Sequence, residues 1–228
     1  MPSFAAEREQ VVAAARRLSA RGYLVATGGN LSVRIPGQAA FAITPTNLDY
    51  GVMSADDVCV LDLALAPLAG ERKPSIESSL HAAIYQARPD VHAVVHTHQA
   101  YASALAVIDQ PIPALFDEQV RFLGRSVEIV RYGPSGTGML RRAVARALRS
   151  HANAYIMKNH GAICLGPDLL RAENNVELLE KCSLAYLLAI CSERRVSKIP
   201  LVVREVAFQK LRSDQRRAEA DATPRASP

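Results

Sequence analysis

Two histidines stand one residue apart in "VVHTHQAYASALA" (94–106), at the end of a valine run. Side chains at i and i+2 of a strand share a face, so His96 and His98 point the same way and lie close enough to share one metal ion. Taken alone, the pair is either a ligand couple or two satisfied polar groups. A third histidine, His160, precedes Gly161 in "KNHGAICLG", a tight turn after a strand of its own. Three neutral imidazoles with one open position are the usual frame of a catalytic zinc or a similar divalent ion. His92 has the parity of His96 but sits about 13 Å of strand rise away. It reads as a surface or structural histidine.

Glu77 opens the helical pattern "PSIESSLHAAIYQA" (74–87). A first-turn carboxylate there stabilises the helix terminus. If that terminus faces the metal, Glu77 is instead a ligand that swings off and works as general base. His81, four residues on, shares its helix face and reads as a partner behind the site or a core polar group. "TGGN" (27–30), "TPTN" (44–47) and Ser75 at a helix start each suit ordinary turn chemistry. As a set they make a cradle for a phosphate or carboxylate. "YGPSGTGML" (132–140) resembles a phosphate loop but lacks the G-K-[ST] ending, so it reads as a loop capping a helix that starts near Thr137.

The elements that must hold these residues follow from periodicity. Helices are predicted over 4–20, 74–87, 99–107, 137–150 and 169–191, the last with Asp168 near its start. Strands are predicted at 31–35, "AFAITP", "DVCVLDL", "VHAVVHTH" and "SVEIVRY", with a strand-turn-strand at "AYIMKNHGAICLG". "PLVVREVAFQKLR" closes the fold. Residues 1–212 form one domain, and the polar, Ala/Pro-rich 213–228 read as a disordered tail. Strands and helices alternate without a single βαβ rhythm, which points to a layered α/β domain with a mixed or antiparallel sheet.

Composition removes whole classes of function. With 49% hydrophobic and 21% charged residues the chain is an ordinary soluble one. "MPSFAAEREQVVAAARRLSA" lacks the apolar core of a signal peptide, and "AYLLAIC" is too short to cross a bilayer. No membrane is expected, and the location is cytoplasmic. The net charge of +5 is scattered and aromatic residues are only 5%, so no nucleic-acid platform forms. The basic balance suits an anionic small substrate. The four cysteines occupy apolar contexts without a C-x-x-C pair and read as buried, reduced thiols.

The combination "ATGGNLSVR … ITPTNLDYG … PSIESSLHAAIYQARPDVHAVVHTH … MKNHGAICLG" resembles the class II aldolase/adducin family, nearest its L-fuculose-phosphate aldolase branch, over roughly residues 5–210. The resemblance implies a three-layer α/β/α fold with a largely antiparallel sheet, and a cyclic homotetramer with sites at subunit interfaces. It implies a metal, usually Zn2+ with Mn2+ or Co2+ as alternatives, held by His96, His98 and His160. Glu77 falls on the catalytic acid/base, which also ligates the resting metal. Gly29, Asn30, Thr46, Asn47, Ser75 and Ile76 fall on phosphate- and substrate-contacting positions.

The implied reaction is retro-aldol cleavage of a small sugar phosphate or related hydroxy-ketone. A metal-stabilised enediolate then gives a dihydroxyacetone-type fragment and an aldehyde, with no lysine Schiff base. Three positions depart from the family pattern: Ile76 replaces a serine, Asn47 replaces a glycine, and Asp117-Glu118 stand where a tyrosine protonates the leaving aldehyde. Pentulose-phosphate 4-epimerases, a dehydratase and decarboxylases share the metal triad. Adducin-like binding modules share the fold but typically lose the ligands.

Overall fold

The valine run before His96 shows no polar alternation because it becomes an inner strand covered on both faces. In the computed structural model, which describes residues 4–222, the order is α1 (Ala5–Ala20), β1 (Asn30–Arg34), β2 (Ala40–Ile43), β3 (Cys59–Asp62), β4 (Pro67–Ala69), α2 (Ser78–Ala87), β5 (Ala93–Thr97), α3 (Ala100–Val107), α4 (Asp117–Phe122), β6 (Ile129–Val130), α5 (Gly138–Ala147), β7 (Ala154–Met157), β8 (Gly161–Gly166), α6 (Leu169–Cys191) and α7 (Leu201–Ala222). The strands form one sheet ordered β4-β3-β2-β1-β5-β8-β7-β6. Every neighbouring pair is antiparallel except β6 with β7.

Val95 packs to one side with Val11 and Leu18 of α1, Leu105 of α3 and Val176 of α6. Val94 packs to the other with Leu80 and Ile84 of α2 and Leu140 and Val144 of α5. Each such buried side chain contributes about 1.5–3 kcal/mol. This is the expected three-layer α/β/α arrangement with a mixed, mostly antiparallel sheet. Its consequence for the site is one of parity. His96 follows Val94 by two residues, so it faces α2 and α5. The β1–β5 register sets Asn30 opposite His96 and Ser32 opposite Val94, which puts both polar side chains on that same face.

α6 starts where expected, with the Asp168 carboxylate accepting from the Arg171 amide at 2.7 Å, a cap worth about 1 kcal/mol. Four expectations need correction. The chain does not become a tail at 213: α7 runs to Ala222. Phe208 and Leu211 pack on Ala114 and Val120, and Gln215 donates to the His151 carbonyl and to Asn153 Oδ1, both at 2.9 Å. Residues 223–228 of the expected tail lie outside the described residues. The strand at "SVEIVRY" shrinks to Ile129–Val130, since it pairs on one side only, at the sheet edge. α4 and β4 arise where only connections were read. Cys191 is exposed, at the end of α6, whereas Cys59, Cys164 and Cys182 are buried as expected. No helix among the described residues is long and apolar enough to cross a membrane.

Candidate metal centre

His96 is wholly buried, and its Nδ1–H donates to the Ala162 carbonyl at 2.9 Å. That bond fixes the tautomer and leaves the Nε2 lone pair facing inward. His98 Nε2 lies 3.1 Å from it. One donor atom from each of His96, His98 and His160 falls within a 4.8 Å group. His98 is clamped by its neighbours: the Thr97 hydroxyl donates to Gln99 Oε1 at 2.7 Å, and Gln99 donates to the Val176 carbonyl on α6 at 2.7 Å. His160 is presented by the β7–β8 turn, whose Asn159 has φ 52°.

Glu77 is the residue just before α2, and its carboxylate makes no capping bond there. It turns inward, 2% exposed. Oε2 lies 3.3 Å from His96 Nε2 and Oε1 lies 3.4 Å from His160 Nε2. These spacings, with 3.1 Å between the paired histidines, match the edge of about 3.3 Å of a tetrahedron with 2.0–2.1 Å bonds. Three imidazoles and a carboxylate therefore fit a zinc-type divalent ion, and the helix-capping explanation of Glu77 is discarded.

Two further side chains hold Glu77. Asn30 Nδ2 donates to Oε2 at 2.9 Å and the Ser135 hydroxyl donates to Oε1 at 2.7 Å. Burial pushes the carboxyl up, but His96, these two hydrogen bonds and His160 outweigh it and hold the group well below the usual carboxylate range. Burial also pushes His96 down. His96 is therefore neutral near pH 7, and there the Asn30 and Ser135 bonds are what keep Glu77 ionised.

Residues 9–187 match the family model described as Class II Aldolase and Adducin N-terminal domain. The chain belongs to the class II aldolase and adducin family. A 5-deoxy-D-ribulose 1-phosphate aldolase of Bacillus thuringiensis is 33% identical over 79% of this chain and 84% of the relative. An L-fuculose phosphate aldolase of Methanocaldococcus jannaschii is 36% identical over 77% of this chain and 92% of the relative. A solved L-fuculose 1-phosphate aldolase superposes with a TM-score of 0.86 at 31% identity, covering 93% of this chain and 98% of that one. The protein is thus a class II aldolase, a carbon–carbon lyase of a metal-dependent family, and its three-histidine site is in place.

In this class II aldolase the residues expected on the substrate side divide into groups. Gly29, at φ +79°, brings the backbone against β5: a Cβ there would meet the His96 carbonyl oxygen and Leu24 Cδ2 at 2.6 Å. Tyr50 secures it by donating to the Gly29 carbonyl at 2.7 Å. Asn30 has both ends of its amide committed, to Glu77 and to His81 Nε2 at 2.6 Å. It supports Glu77. The turns carrying Thr46 and Ser75 are tied together by Thr46 N–H to the Lys73 carbonyl at 2.9 Å and Ser75 N–H to the Thr44 carbonyl at 3.2 Å. Asn47 is exposed at φ 54°, a conformation that asparagine tolerates where glycine is usual. Ile76 is 56% exposed and lies against Gly136.

Asp117 and Glu118 form the exposed first turn of α4, and Lys181 pairs with Glu118 at 3.4 Å. His92 is partly buried, with an Nε2 that has no partner among the described residues. Ser135 was missed: its loop was read as a helix cap. Thr137 does stand just before α5, but its hydroxyl donates to the Pro134 carbonyl at 2.7 Å and makes no capping bond to the helix.

Burial pushes His81 down to about 3 and His96 down to about 4, and both rings are fully buried. Histidines of the unfolded chain titrate near 6.5, so below that pH the unfolded state binds more protons. Their contribution is complete above pH 6.5 and is lost as pH falls toward the folded values. Each histidine that stays neutral in the fold costs about 2 kcal/mol by pH 5. The urea midpoint of metal-free protein is expected to drop between pH 7 and pH 5 with an unchanged denaturant slope. A flat midpoint would contradict the burial of these rings as neutral groups.

Proposed function

We propose that this chain is a divalent-metal aldolase of small ketose 1-phosphates, splitting them into dihydroxyacetone phosphate and an aldehyde. The observation that carries the reading is Glu77, buried as an ionised carboxylate against an intact set of three imidazoles. A divalent ion held by His96, His98 and His160, with Zn2+ best suited to that donor set, supplies Lewis-acid polarisation of the ketose carbonyl.

Cleavage breaks the C3–C4 bond. The C4 hydroxyl gives up its proton and becomes the aldehyde carbonyl, while C3 takes up a proton, so substrate and products balance without a redox partner. Glu77 is the group that carries the proton at C3: ionised at rest, it takes that proton from C3 in the condensation direction, and in cleavage it takes up the proton released from the C4 hydroxyl and delivers one to C3. The backbone N–H groups of Gly29, Asn47 and Ile76, which make no hydrogen bond within the fold among the described residues, favour an anion. Ser75 adds a hydroxyl there, and Ile76 supplies none. Relatives named as aldolases of two deoxy-ketose phosphates support this substrate class. The family resemblance also supports a homotetramer, and exposed apolar side chains such as Val107, Leu188 and Val202 suit such association.

Zinc-loaded protein is expected to release dihydroxyacetone phosphate and aldehyde in equal amounts from L-fuculose 1-phosphate or 5-deoxy-D-ribulose 1-phosphate. Conversion to a C4 epimer without free fragments, or no release across a panel of ketose phosphates, would overturn the reading.

A further inference from the structure

Behind Glu77 the face of β1 meets the face of α2 in a matched ladder. Asn30 and Ser32 are two residues apart on a strand, about 6.6 Å of rise. Glu77, His81 and Tyr85 recur every four residues along the helix, about 6 Å per step. The near-equal steps let the two rows interleave. Tyr85 OH meets Ser32 Oγ at 2.7 Å, Ser32 Oγ meets His81 Nδ1 at 2.6 Å, His81 Nε2 meets Asn30 Oδ1 at 2.6 Å, and Asn30 Nδ2 meets Glu77 Oε2 at 2.9 Å. Every member is buried.

The direction of each bond follows from proton inventory. The Glu77 carboxylate only accepts, so the Asn30 end facing it is the NH2. The other end of Asn30 is then a carbonyl, so His81 Nε2 carries a proton. The His81 ring is fully buried, and its two side-chain partners, the Asn30 carbonyl and the Ser32 hydroxyl, are neutral, so it carries one proton; with that proton on Nε2, Nδ1 is bare and accepts from Ser32. Ser32 in turn accepts from Tyr85. Glu77 Oε1 is held differently, by the hydroxyl of the exposed Ser135 on the loop before α5.

We propose that His81 and Ser32 are positioning residues: a one-way hydrogen-bond chain from Tyr85 through Ser32, His81 and Asn30 anchors Glu77 Oε2 and leaves Oε1 as the oxygen that moves the proton. The proposal rests on Glu77 as the proton carrier. Without the His81 donor the buried Asn30 carbonyl loses its partner, and the amide is held from the Glu77 side alone. A flipped amide would set one acceptor against another.

The tautomer is tested first, without turnover. 15N NMR of metal-free protein is expected to show His81 protonated at Nε2 and bare at Nδ1, and protonation at Nδ1 overturns the chain. Next, His81→Phe and His81→Gln are compared per bound zinc. His81→Phe is expected to lower kcat by about 10–100-fold with KM within about threefold. His81→Gln, whose amide can donate to Asn30 Oδ1, is expected to recover at least half of that loss on a logarithmic scale. A His81→Phe enzyme within threefold of wild-type kcat, or a His81→Gln enzyme no better than His81→Phe, overturns the positioning role. Should His81→Phe not fold, Asn30→Asp serves in its place: it still accepts from His81 but cannot donate to Glu77, and unchanged kcat there has the same meaning. Activity in Glu77→Gln would refute the proton carrier alone and leave the tautomer result standing.

Discussion

Glu77→Gln is expected to lower kcat by about 10²–10⁴-fold while leaving zinc bound and the fold intact. The amide has nearly the shape of the carboxylate. Its oxygen can still accept from Asn30 Nδ2 and its NH2 can donate to the Ser135 hydroxyl, so both present contacts have replacements. The three imidazoles are untouched, and His96 keeps the Ala162 carbonyl that orients it. What disappears is a group able to take up a proton and return it. The fold favours the ionised carboxylate, so the amide gives up some stability, and because both contacts are replaced the thermal midpoint of metal-free protein is expected to fall only slightly. Zinc content by elemental analysis and kcat on the same preparation decide the matter. Near-wild-type turnover with zinc in place would show that another group carries the proton, whereas loss of both would mean that Glu77 serves as ligand only.

The metal site was legible because its signals are local and periodic. The parity of His96 and His98 survives any reasonable strand boundary, and Val94 fixes which face they take. His160 and Glu77 announced themselves through a turn and a helix start. The partners of Glu77 were harder. Ser135 lies 58 residues away in sequence, on a loop whose glycines and threonine satisfy a purely local explanation. Asn30 sits in a Gly-Gly-Asn turn that looks suited to anions, so its side chain was assigned to substrate. Its strand parity with Ser32, set against the four-residue spacing of Glu77, His81 and Tyr85, carries the signal of its contacts with Glu77 and His81. That signal appears only when two periods are compared across elements.

The missed secondary structure has equally physical causes. α4 is six residues long, under two turns, too short for apolar periodicity to show. Beyond Leu211, α7 is anchored by a single buried polar residue, Gln215, and by the Arg121–Asp214 ion pair. Hydrophobic patterning has nothing to register there. The three partners in that anchoring, His151, Asn153 and Arg121, all lie far from α7 in sequence.

Gly161→Ala is expected to damage the centre without touching a ligand. A Cβ at Gly161 would stand 2.4 Å from the Thr97 carbonyl oxygen, 2.7 Å from His98 Cδ2 and 3.1 Å from His96 Cε1. None of these can yield cheaply. The Thr97 carbonyl belongs to β5, which pairs with β8 through Thr97 opposite Ala162, and the two rings belong to the three-histidine group that could hold the metal. Relief requires β8 to move away from β5 or the histidines to splay, and either route spoils the spacing of about 3.3 Å that the ion needs. Overpacking of this kind costs about 1–3 kcal/mol, which for a chain of this size lowers the thermal midpoint by about 2–4 °C per kcal/mol. Zinc affinity, measured by competition with a chelator, is expected to fall by at least about tenfold. Gly51→Ala provides the contrast, because its Cβ would meet only Asp49 Oδ1, at 3.2 Å, and zinc affinity should not change. If Gly161→Ala binds zinc as tightly as wild type, the close packing of the β7–β8 turn against both histidines is not what sets the geometry of the site.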